Sequence, residues 1–261
     1  MDLEEIFACC IDKIESWKYH NLIPQDLKAT LLFGMTNKVY KIEQFTKAIP
    51  KAVIFRVFPS INKIVNQELS TKVFFACSES NIGPKLLHDQ TPKYRIEEYL
   101  DGRNLTFIEL NNRLMVDSFS RKICDFHNNE SLKQIMSEYD NQKPFALVVL
   151  ENWLKTFKKE YPMYLSKVKL PRNKFILAQL SYLLTEEFLK DYLELLPSGN
   201  SQIVASHNDI IENNLMILHN NEGKCYLIDY DYSKLNYRGY DLSLYLAESK
   251  MDYTNPEFPN F

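Results

Sequence analysis

The sequence lacks the features that mark several broad classes of protein. It has no apolar run long enough to span a membrane, and its acidic start, MDLEEIF, does not resemble a signal peptide. Its basic residues are scattered rather than gathered into a block, and its net charge is -3. Nucleic acid is therefore not an expected partner, nor is stable insertion in a membrane. We expect a small-molecule substrate.

The cysteines show no pattern typical of disulfides or of a metal site. Their number, five, is odd, no CxxC pair occurs, and most of them lie in apolar periodic segments. A free thiol in such a segment acts as a small apolar side chain. We therefore expect a reducing compartment, and the cytoplasm as the location. The length of 261 residues and the apolar fraction of 45% suit a globular chain with one large domain or two small lobes.

The most informative stretch runs from residue 205 to residue 248. Asp209 and Asn214 stand five residues apart in HNDIIENN, and a short apolar run ends later at Asp229 in IDYDY. A kinase catalytic loop uses this spacing for its base and a metal-binding amide, and a later aspartate holds Mg²⁺ on the nucleotide phosphates. Each residue alone would favour a capped turn or a polar strand end. The three in this order predict a phosphotransfer site, with Asp209 as base and Asn214 and Asp229 as metal ligands.

Two elements of protein kinases are missing from the sequence. No glycine follows Asp229, so there is no DFG motif, and no APE segment comes after it. A peptide is therefore not the expected acceptor. Asp231, two residues after Asp229, is a secondary candidate for the metal shell.

The motifs HNDxxxxN, IDYDY and NYRGYD resemble the signature of choline/ethanolamine kinases. The resemblance implies a two-lobed, protein-kinase-like α+β fold, with a small antiparallel-sheet N-lobe and a mostly helical C-lobe. It also implies ATP and Mg²⁺ as cofactors and a small amino alcohol, choline or ethanolamine, as the acceptor; a homodimer is compatible with it. We predict the N-lobe over residues 1–104 and the C-lobe over residues 105–261.

The nucleotide side of the site is predicted from weaker signals. Residues 29–42 read as strand, turn and strand, and the turn Gly34, Met35, Thr36 and Asn37 resembles the family's nucleotide loop, with Phe33 in place of its first glycine. An ordinary hairpin is the alternative. The strand at residues 94–100 leads into the expected hinge, where Glu98 is the adenine candidate.

A charge inside an apolar strand predicts an ion pair. Residues 52–58, AVIFRVF, read as a buried central strand that carries Arg56, and Glu68 falls in the apolar stripe of a helix predicted over residues 61–77. We predict that Glu68 pairs with Arg56, which then contacts the phosphates as the kinase strand lysine does. A peripheral surface pair is the alternative.

The remaining segments are predicted to be mainly helical. Helices are expected over residues 3–18, 105–127, 145–161 and 174–196, with a polar link at residues 129–144 and breaks at Pro162 and Pro171. His127 is expected to have a structural role.

The substrate end is predicted from the stretch after residue 235. Asp241 is expected to cap a helix, and Glu248 lies seven residues later on the same face. The resemblance implies that Glu248 faces the substrate ammonium group. Tyr240 and Tyr245 are wall candidates, with a place in the core as the alternative that helical spacing favours. Ile211 resembles ethanolamine kinases and the Arg238-Gly239 pair resembles choline kinases, so the acceptor stays open.

Two rival functions remain open. One is a related phosphotransferase of the aminoglycoside type, which shares the arrangement of acids, and the other is a catalytically silent kinase-like binding protein. The family continues past the position of Phe261 into a helical region with further aromatic pocket residues. We expect the pocket to be completed outside this sequence or in a different way.

Overall fold

The computed structural model describes residues 1–32, 37–59, 65–139, 143–183, 185–198 and 201–253. Five antiparallel strands form one sheet in the first hundred residues, in the order β1-β2-β3-β5-β4, and most later segments are helical. The predicted kinase-like α+β class is confirmed. The N-terminal elements are α1 (Leu3–Lys13), α2 (Glu15–Tyr19), β1 (Leu27–Leu32), β2 (Lys38–Gln44), β3 (Ala52–Val57), α3 (Gln67–Glu79), β4 (Leu86–Gln90) and β5 (Tyr94–Glu98).

The C-terminal elements surround two small sheets. Strand β10 pairs with β7, and β8 lies between β6 and β9. The elements are β6 (Gly102–Asn104), α4 (Arg113–His127), α5 (Glu130–Tyr139), α6 (Phe145–Lys167), α7 (Pro171–Leu183), α8 (Glu186–Ser198), β7 (Ile203–Ser206), β8 (Leu215–Leu218), β9 (Asn221–Leu227), β10 (Lys234–Tyr237) and α9 (Arg238–Glu248). Because β6 pairs with β8, it belongs with the catalytic half, although the lobe boundary at residues 104 and 105 stays a prediction.

The first helix packs on the N-lobe sheet, but it is not continuous. A capping box of Asp2 and Glu5 starts α1, and Ile14, whose backbone is extended, ends it before α2 begins. The prediction of one helix over residues 3–18 is therefore wrong at Ile14. The apolar spacing still places Ile6 and Trp17 in the core, since both are fully buried against one face of the sheet.

Strand β3 lies at the centre of the N-lobe sheet, as its apolar sequence predicts. Val53 and Phe55 are fully buried on the face that α1 covers. The alternate residues face the other side, towards the cleft, because side chains alternate along a strand. Arg56 is one of them. The sheet therefore separates an apolar N-lobe core from a charged face.

The helical half differs from the sequence prediction at four places. The helix predicted over residues 105–127 begins only at Arg113, after a short 3-10 turn at Glu109–Asn111. Residues 129–144 are not a polar link, because α5 occupies most of the segment and buries Leu132 and Met136, four residues apart, on one face. Pro162 does not break a helix: it lies inside α6, where the exposed surface lets water satisfy the carbonyl that loses its donor. The helix predicted over residues 174–196 is two helices, α7 and α8.

The two lobes approach each other closely at Gly83 and Tyr230. The Tyr230 ring is fully buried, and its hydroxyl donates a 2.7 Å hydrogen bond to the Leu227 carbonyl. A Cβ added at Gly83 would lie 2.0 Å from this hydroxyl and 2.8 Å from the Leu227 carbonyl oxygen. Only glycine leaves room for the segment that carries Asp229, the residue before Tyr230.

A pair of glycine substitutions tests this contact. We expect Gly83→Ala to lower the free energy of unfolding by about 1–3 kcal/mol, because the new methyl group overpacks a buried contact with backbone atoms. Gly223→Ala is the matched control, since nothing lies within 4 Å of its added Cβ, and its effect should stay within about 0.5 kcal/mol. Urea unfolding of the three proteins measures both values; equal stabilities would contradict the close approach.

Candidate active site

The turn after β7 holds Asp209 and Asn214 together. The Asn214 side-chain amide donates to both the Asp209 carboxylate, at 2.7 Å, and the Asp209 backbone carbonyl, at 2.9 Å. Asn214 ends a short 3-10 turn and is 6% exposed, whereas Asp209 is half-buried. The predicted base therefore has a fixed carboxylate that still reaches the cleft.

Asp229 follows β9 and is joined to the same turn through the backbone. The Ile228 N-H donates to the Asn214 carbonyl at 3.1 Å, and His207 Nε2 lies 3.0 Å from the Ile228 carbonyl oxygen. Asp229 has a φ of 65°, a left-handed conformation that a non-glycine residue adopts only at some cost. These contacts bring the three predicted residues, Asp209, Asn214 and Asp229, to one place.

Asp241 holds the backbone of this turn through hydrogen bonds. It is fully buried and accepts hydrogen bonds from the backbone N-H groups of His207, at 2.9 Å, and Asn208, at 2.8 Å. His127 Nε2 lies 2.9 Å from the same carboxylate. The predicted capping role of Asp241 is wrong, because α9 begins at Arg238 and its N-cap is Tyr237. Asp241 instead orients the turn that carries Asp209, and His127 is a further hydrogen-bond partner of its carboxylate.

The acids of the site crowd one another. Burial raises the pKa of Asp209, and the charges of Asp229 and Asp231 raise it further, against His207 and the Asn214 hydrogen bond. Burial also raises the pKa of Asp229, with Asp231 adding to the shift and Arg56 opposing it. Burial and nearby negative charge thus both disfavour the charged forms of Asp209 and Asp229. The site therefore favours a cation or a bound proton.

Arg56 is paired with Glu97, not with Glu68. Its Nε lies 2.9 Å from Glu97 Oε1, and both side chains are almost fully buried. Glu68 lies on the exposed face of α3, with its side chain 65% exposed, and pairs with Lys72 at 3.2 Å. The predicted Arg56–Glu68 pair is wrong because helix α3 begins only at Gln67 and turns Glu68 away from the sheet.

Strand register explains why Glu97 is needed. Arg56 of β3 lies directly opposite Arg95 of β5, so two like charges meet on one buried face. Arg95 is 1% exposed, and its Nε lies 2.7 Å from the same Glu97 oxygen. Although burial raises the pKa of Glu97, the two arginines lower it below its ordinary value. Glu97 therefore holds Arg56 at the face where the carboxylates lie.

The other nucleotide candidates are only partly tested. Gly34, Met35 and Thr36, with Phe33, lie outside the described residues. Asn37 is buried, and its side-chain amide donates a 3.0 Å hydrogen bond to Asp231. Glu98 is half-buried and accepts a 2.9 Å hydrogen bond from the Lys85 N-H, so its carboxylate is used within the hinge region.

Glu248 and Tyr240 form one group of substrate candidates, and Tyr245 is separate from them. Glu248 is half-buried at the end of α9, accepts a 3.1 Å hydrogen bond from the Tyr253 hydroxyl, and lies near Glu212, whose pKa is raised by burial, Glu248 and Asp252. Tyr240 is half-buried. Burial raises its pKa, and the charges of Asp241 and Asp209 raise it further.

Tyr245 does not belong to this group. It is 5% exposed, stacks on Phe119 with the ring centroids 4.1 Å apart, and donates a hydrogen bond to the Leu110 carbonyl. The structure places Tyr245 in the C-lobe core, so its predicted place in the pocket wall is wrong.

The residues present fit a magnesium ion held jointly with a nucleotide. Among the described residues no three His, Cys, Asp or Glu side chains are placed to hold a metal by themselves. Mg²⁺ commonly takes one or two protein ligands and completes its shell with phosphates and water. Asn214 uses its side-chain nitrogen for Asp209, which leaves its side-chain oxygen for a metal, and Asp229 supplies a carboxylate in a cleft crowded with negative charge.

Comparison with known proteins identifies the family. A profile of choline/ethanolamine kinases matches residues 29–261. The chain belongs to the choline/ethanolamine kinase family. A human choline/ethanolamine kinase is 29% identical to this family member over 213 residues, which cover 80% of this chain and 50% of the human protein. The chain spans about half the length of the curated relatives that it matches.

Solved structures share the fold of this choline/ethanolamine kinase family member. A choline kinase from Cryptosporidium parvum has a TM-score of 0.74 and 24% identity, with 100% of this chain and 73% of the other covered. LicA in complex with AMP has a TM-score of 0.54 and 19% identity, with 93% of this chain and 76% of LicA covered. Among the described residues of this kinase-family chain, no helix has the length and apolarity to cross a membrane.

Four site residues of this family member are missed by sequence reasoning. Glu97 could have been found from its spacing. Arg95 and Glu97 stand two residues apart in a buried strand and so lie on one face of it, and Arg56 lies on the same face of the neighbouring strand. Tyr253 and Glu212 carry no local signal. Tyr232 is missed too. Burial raises its pKa, and the charges of Asp209, Asp231 and Asp229 raise it further, so Tyr232 lies near all three acids.

Substitution of the two glutamates tests the corrected ion pair. We expect Glu97→Gln to lower the free energy of unfolding by about 3 kcal/mol or more, because it leaves Arg56 and Arg95 buried without a counter-charge. Glu68→Gln, the matched control on the exposed face of α3, should leave stability unchanged. Chemical denaturation measures both; a larger loss for the Glu68 variant would restore the pairing predicted from the sequence.

The crowded carboxylates should make the metal-free site a source of instability. Because the folded-state pKa of Asp229 is raised, its ionisation costs more in the folded chain than in the unfolded chain, and the penalty is present at neutral pH. Asp229→Asn should therefore stabilise the metal-free protein by about 0.5–2 kcal/mol at pH 7. The gain should shrink as the pH falls towards the ordinary aspartate pKa of about 4.

Thermal unfolding with EDTA at several pH values measures this gain. Asp117→Asn, on the exposed surface of α4, is the control and should change stability at no pH. An Asp229 variant less stable than the parent at pH 7 would contradict the crowding.

Proposed function

We propose that the chain transfers the γ-phosphoryl group of ATP to the hydroxyl group of a small amino alcohol, with the assistance of Mg²⁺. The observation that carries the proposal is the hydrogen-bonded unit of Asp209, Asn214 and Asp229, in which Asn214 contacts Asp209 and accepts from the residue before Asp229. Phosphoryl transfer depends on positioned acids and metal ligands rather than on covalent help from the protein.

In this mechanism each side chain has one task. Asp209 accepts the hydrogen bond of the acceptor hydroxyl and takes its proton; a raised pKa makes its carboxylate a better proton acceptor. Asn214 and Asp229 hold Mg²⁺, which would neutralise charge on the β- and γ-phosphates. Arg56, oriented by Glu97, contacts the phosphates, since its guanidinium lies on the cleft face and within the field of Asp229.

The nucleotide enters this proposal through the loop and the hinge. Asn37 ends the proposed phosphate loop and is fixed by Asp231, and Glu98 lies where the adenine would meet the hinge. LicA, a structural relative, has been solved in complex with AMP. This supports adenine nucleotide as the phosphoryl donor here.

The acceptor is proposed from the acidic end of the cleft. Burial raises the pKa of Glu212, and the charge of the nearby Glu248 raises it further. A cation between the two carboxylates would therefore be favoured. Tyr240, near Asp209, offers an aromatic wall for an ammonium group, and cation-π contacts contribute about 0.5–2 kcal/mol. Relatives are named choline kinase and ethanolamine kinase, and Ile211 and the Arg238-Gly239 pair favour different acceptors, so the choice between the two stays open. The five cysteines are free, which suits the cytoplasm. A homodimer stays a prediction.

Replacement of Asp209 tests the reaction. With Mg-ATP and either choline or ethanolamine, the parent protein should release ADP, and Asp209→Asn should lower kcat by about 10²–10⁴-fold because the proton acceptor is lost. ADP affinity should be retained. Asp117→Asn serves as the exposed control.

Other outcomes of that assay decide between the rivals. Nucleotide binding without ADP release under any acceptor would favour a silent binding protein. Turnover with aminoglycosides alone would favour that class, whose members share the fold, as a structure with a TM-score of 0.51 indicates. Undiminished turnover in the Asp209 variant would contradict the assigned base.

Replacement of Glu248 tests the ammonium site. Glu248→Gln should raise the KM for the amino alcohol about tenfold or more, because the cation loses its counter-charge, while the KM for Mg-ATP stays unchanged. Glu187→Gln, exposed on α8, is the matched control. Steady-state kinetics with ethanolamine and with neutral ethylene glycol separates charge from shape: an equal loss for both acceptors would remove Glu248 from the cation site.

A further inference from the structure

The Asp231 carboxylate is bound by two side chains of the N-lobe. Its Oδ2 accepts a 3.0 Å hydrogen bond from the Asn37 amide, and its Oδ1 accepts a 2.7 Å hydrogen bond from the Ser70 hydroxyl. The donors lie 194 and 161 residues away in sequence. Asp231 is 9% exposed, Asn37 is 7% exposed and Ser70 is 2% exposed. The contact is therefore a buried link between the two lobes.

Each end of this link lies at a functional element. Asn37 stands directly before β2, at the end of the proposed nucleotide loop, and Ser70 lies near the start of α3. Asp231 is two residues after Asp229, and it contributes to the raised pKa of both Asp229 and Asp209. A carboxylate in this position increases the repulsion at the site, so a gain elsewhere must offset its cost.

We propose that Asp231 is a positioning residue that fastens the start of β2, at Asn37, and the start of α3, at Ser70, to the metal-binding segment. The link sets the position of these two N-lobe elements relative to Asp229, two residues before Asp231. The inference rests on the proposed function, and it goes beyond the sequence-based role of Asp231 in the metal shell, because hydrogen bonds from the N-lobe reach both of its oxygens.

The two roles predict opposite effects on nucleotide binding without metal. If Asp231 acts only through its charge or as a metal ligand, its removal takes a negative charge away from the phosphates, and ADP should bind equally well or better in EDTA. If Asp231 positions the N-lobe elements at Asn37 and Ser70, its removal breaks their link to the metal-binding segment, and ADP should bind less well in EDTA despite the smaller repulsion. The sign of the change therefore decides between them.

The experiment is a calorimetric titration of the whole chain with ADP in EDTA. We expect Asp231→Ala to weaken ADP binding on the order of tenfold and Ser70→Ala to weaken it less, in line with the loss of charge-assisted hydrogen bonds. The double variant should be no weaker than Asp231→Ala, because both changes break one link. Ser243→Ala, an exposed serine on α9, is the matched control and should bind as the parent does. Unchanged or tighter binding by Asp231→Ala, or strictly additive losses, would overturn the proposal.

A conservative variant separates the link from the charge. Asp231→Asn keeps an acceptor for Ser70, and Asn37 can turn its amide so that its buried Oδ1, which has no partner among the described residues, accepts from the new amide. We expect this variant to restore ADP affinity to the parent value or better. An affinity as low as that of Asp231→Ala would overturn the positioning role, because hydrogen bonds to Ser70 and Asn37 would then not be sufficient to restore binding.

Hydrogen exchange in the nucleotide-free protein provides a readout that does not depend on activity. In Asp231→Ala, peptides covering residues 37–44 and 65–75 should exchange faster than in the parent, while peptides from α6 to α8 should not change. Exchange that is unchanged in both N-lobe peptides would overturn the link. If the parent protein bound ADP neither in EDTA nor with Mg²⁺, the proposed function would fail, and the exchange result would still decide the role of Asp231.

Discussion

Burial and the repulsion of neighbouring acids together shape the cleft of this protein. Burial raises the pKa of Asp209 and Asp229, the charge of Asp231 raises both further, and each of the three acids is at least half-buried. Like charges in a poorly solvated site would normally be separated by a small backbone shift. Here the surrounding hydrogen bonds prevent that shift. The arrangement makes sense if the site is built for a cation that arrives with its substrate, since Mg²⁺ and a nucleotide would relieve the strain that the metal-free chain retains.

Two buried carboxylate hubs, Asp241 in the C-lobe and Glu97 in the N-lobe, hold the crowded acids in place from opposite sides. In the C-lobe, Asp241 fixes the catalytic turn through the His207 and Asn208 N-H groups. In the N-lobe, Glu97 pairs with both of the arginines that strand register brings together, and so it presents Arg56 to the acids. A buried charge is costly unless it is paired and hydrogen-bonded, and both hubs meet that condition. The catalytic geometry thus depends on carboxylates that never need to contact a substrate.

The sequence was sufficient where the signal is local. Three signals each describe a short segment: the spacing of Asp209 and Asn214, the apolar run before Asp229, and the β-branched run around Arg56. The structure brings Asp209, Asn214 and Asp229 together, as the spacing indicates. The partner of Arg56 was missed because it depends on which strand lies next to β3. The chain order suggests α3, whereas the sheet order places β5 there, and with it Glu97.

Other errors have the same origin. Asp241 sits in the first turn of α9, where a capping role is the local expectation, but its three partners come from two other elements. Tyr245 was a pocket candidate by resemblance, whereas its helical spacing favours the core, where its ring stacks on Phe119 of α4. Long-range packing, which periodicity cannot reveal, decided the role of Asp241. Pro162 is a different case, because it lies in a helix whose surface is exposed there.

Proton release on ligand binding tests the central claim most directly. If the carboxylates hold protons more tightly than ordinary aspartates, binding of preformed Mg·ADP near pH 5 should expel protons, since the bound cation favours their charged forms. Calorimetry in two buffers of different ionisation enthalpy counts those protons. We expect net release by the parent protein and a smaller release by Asp229→Asn. Equal proton release by both proteins, or none by either, would contradict the account.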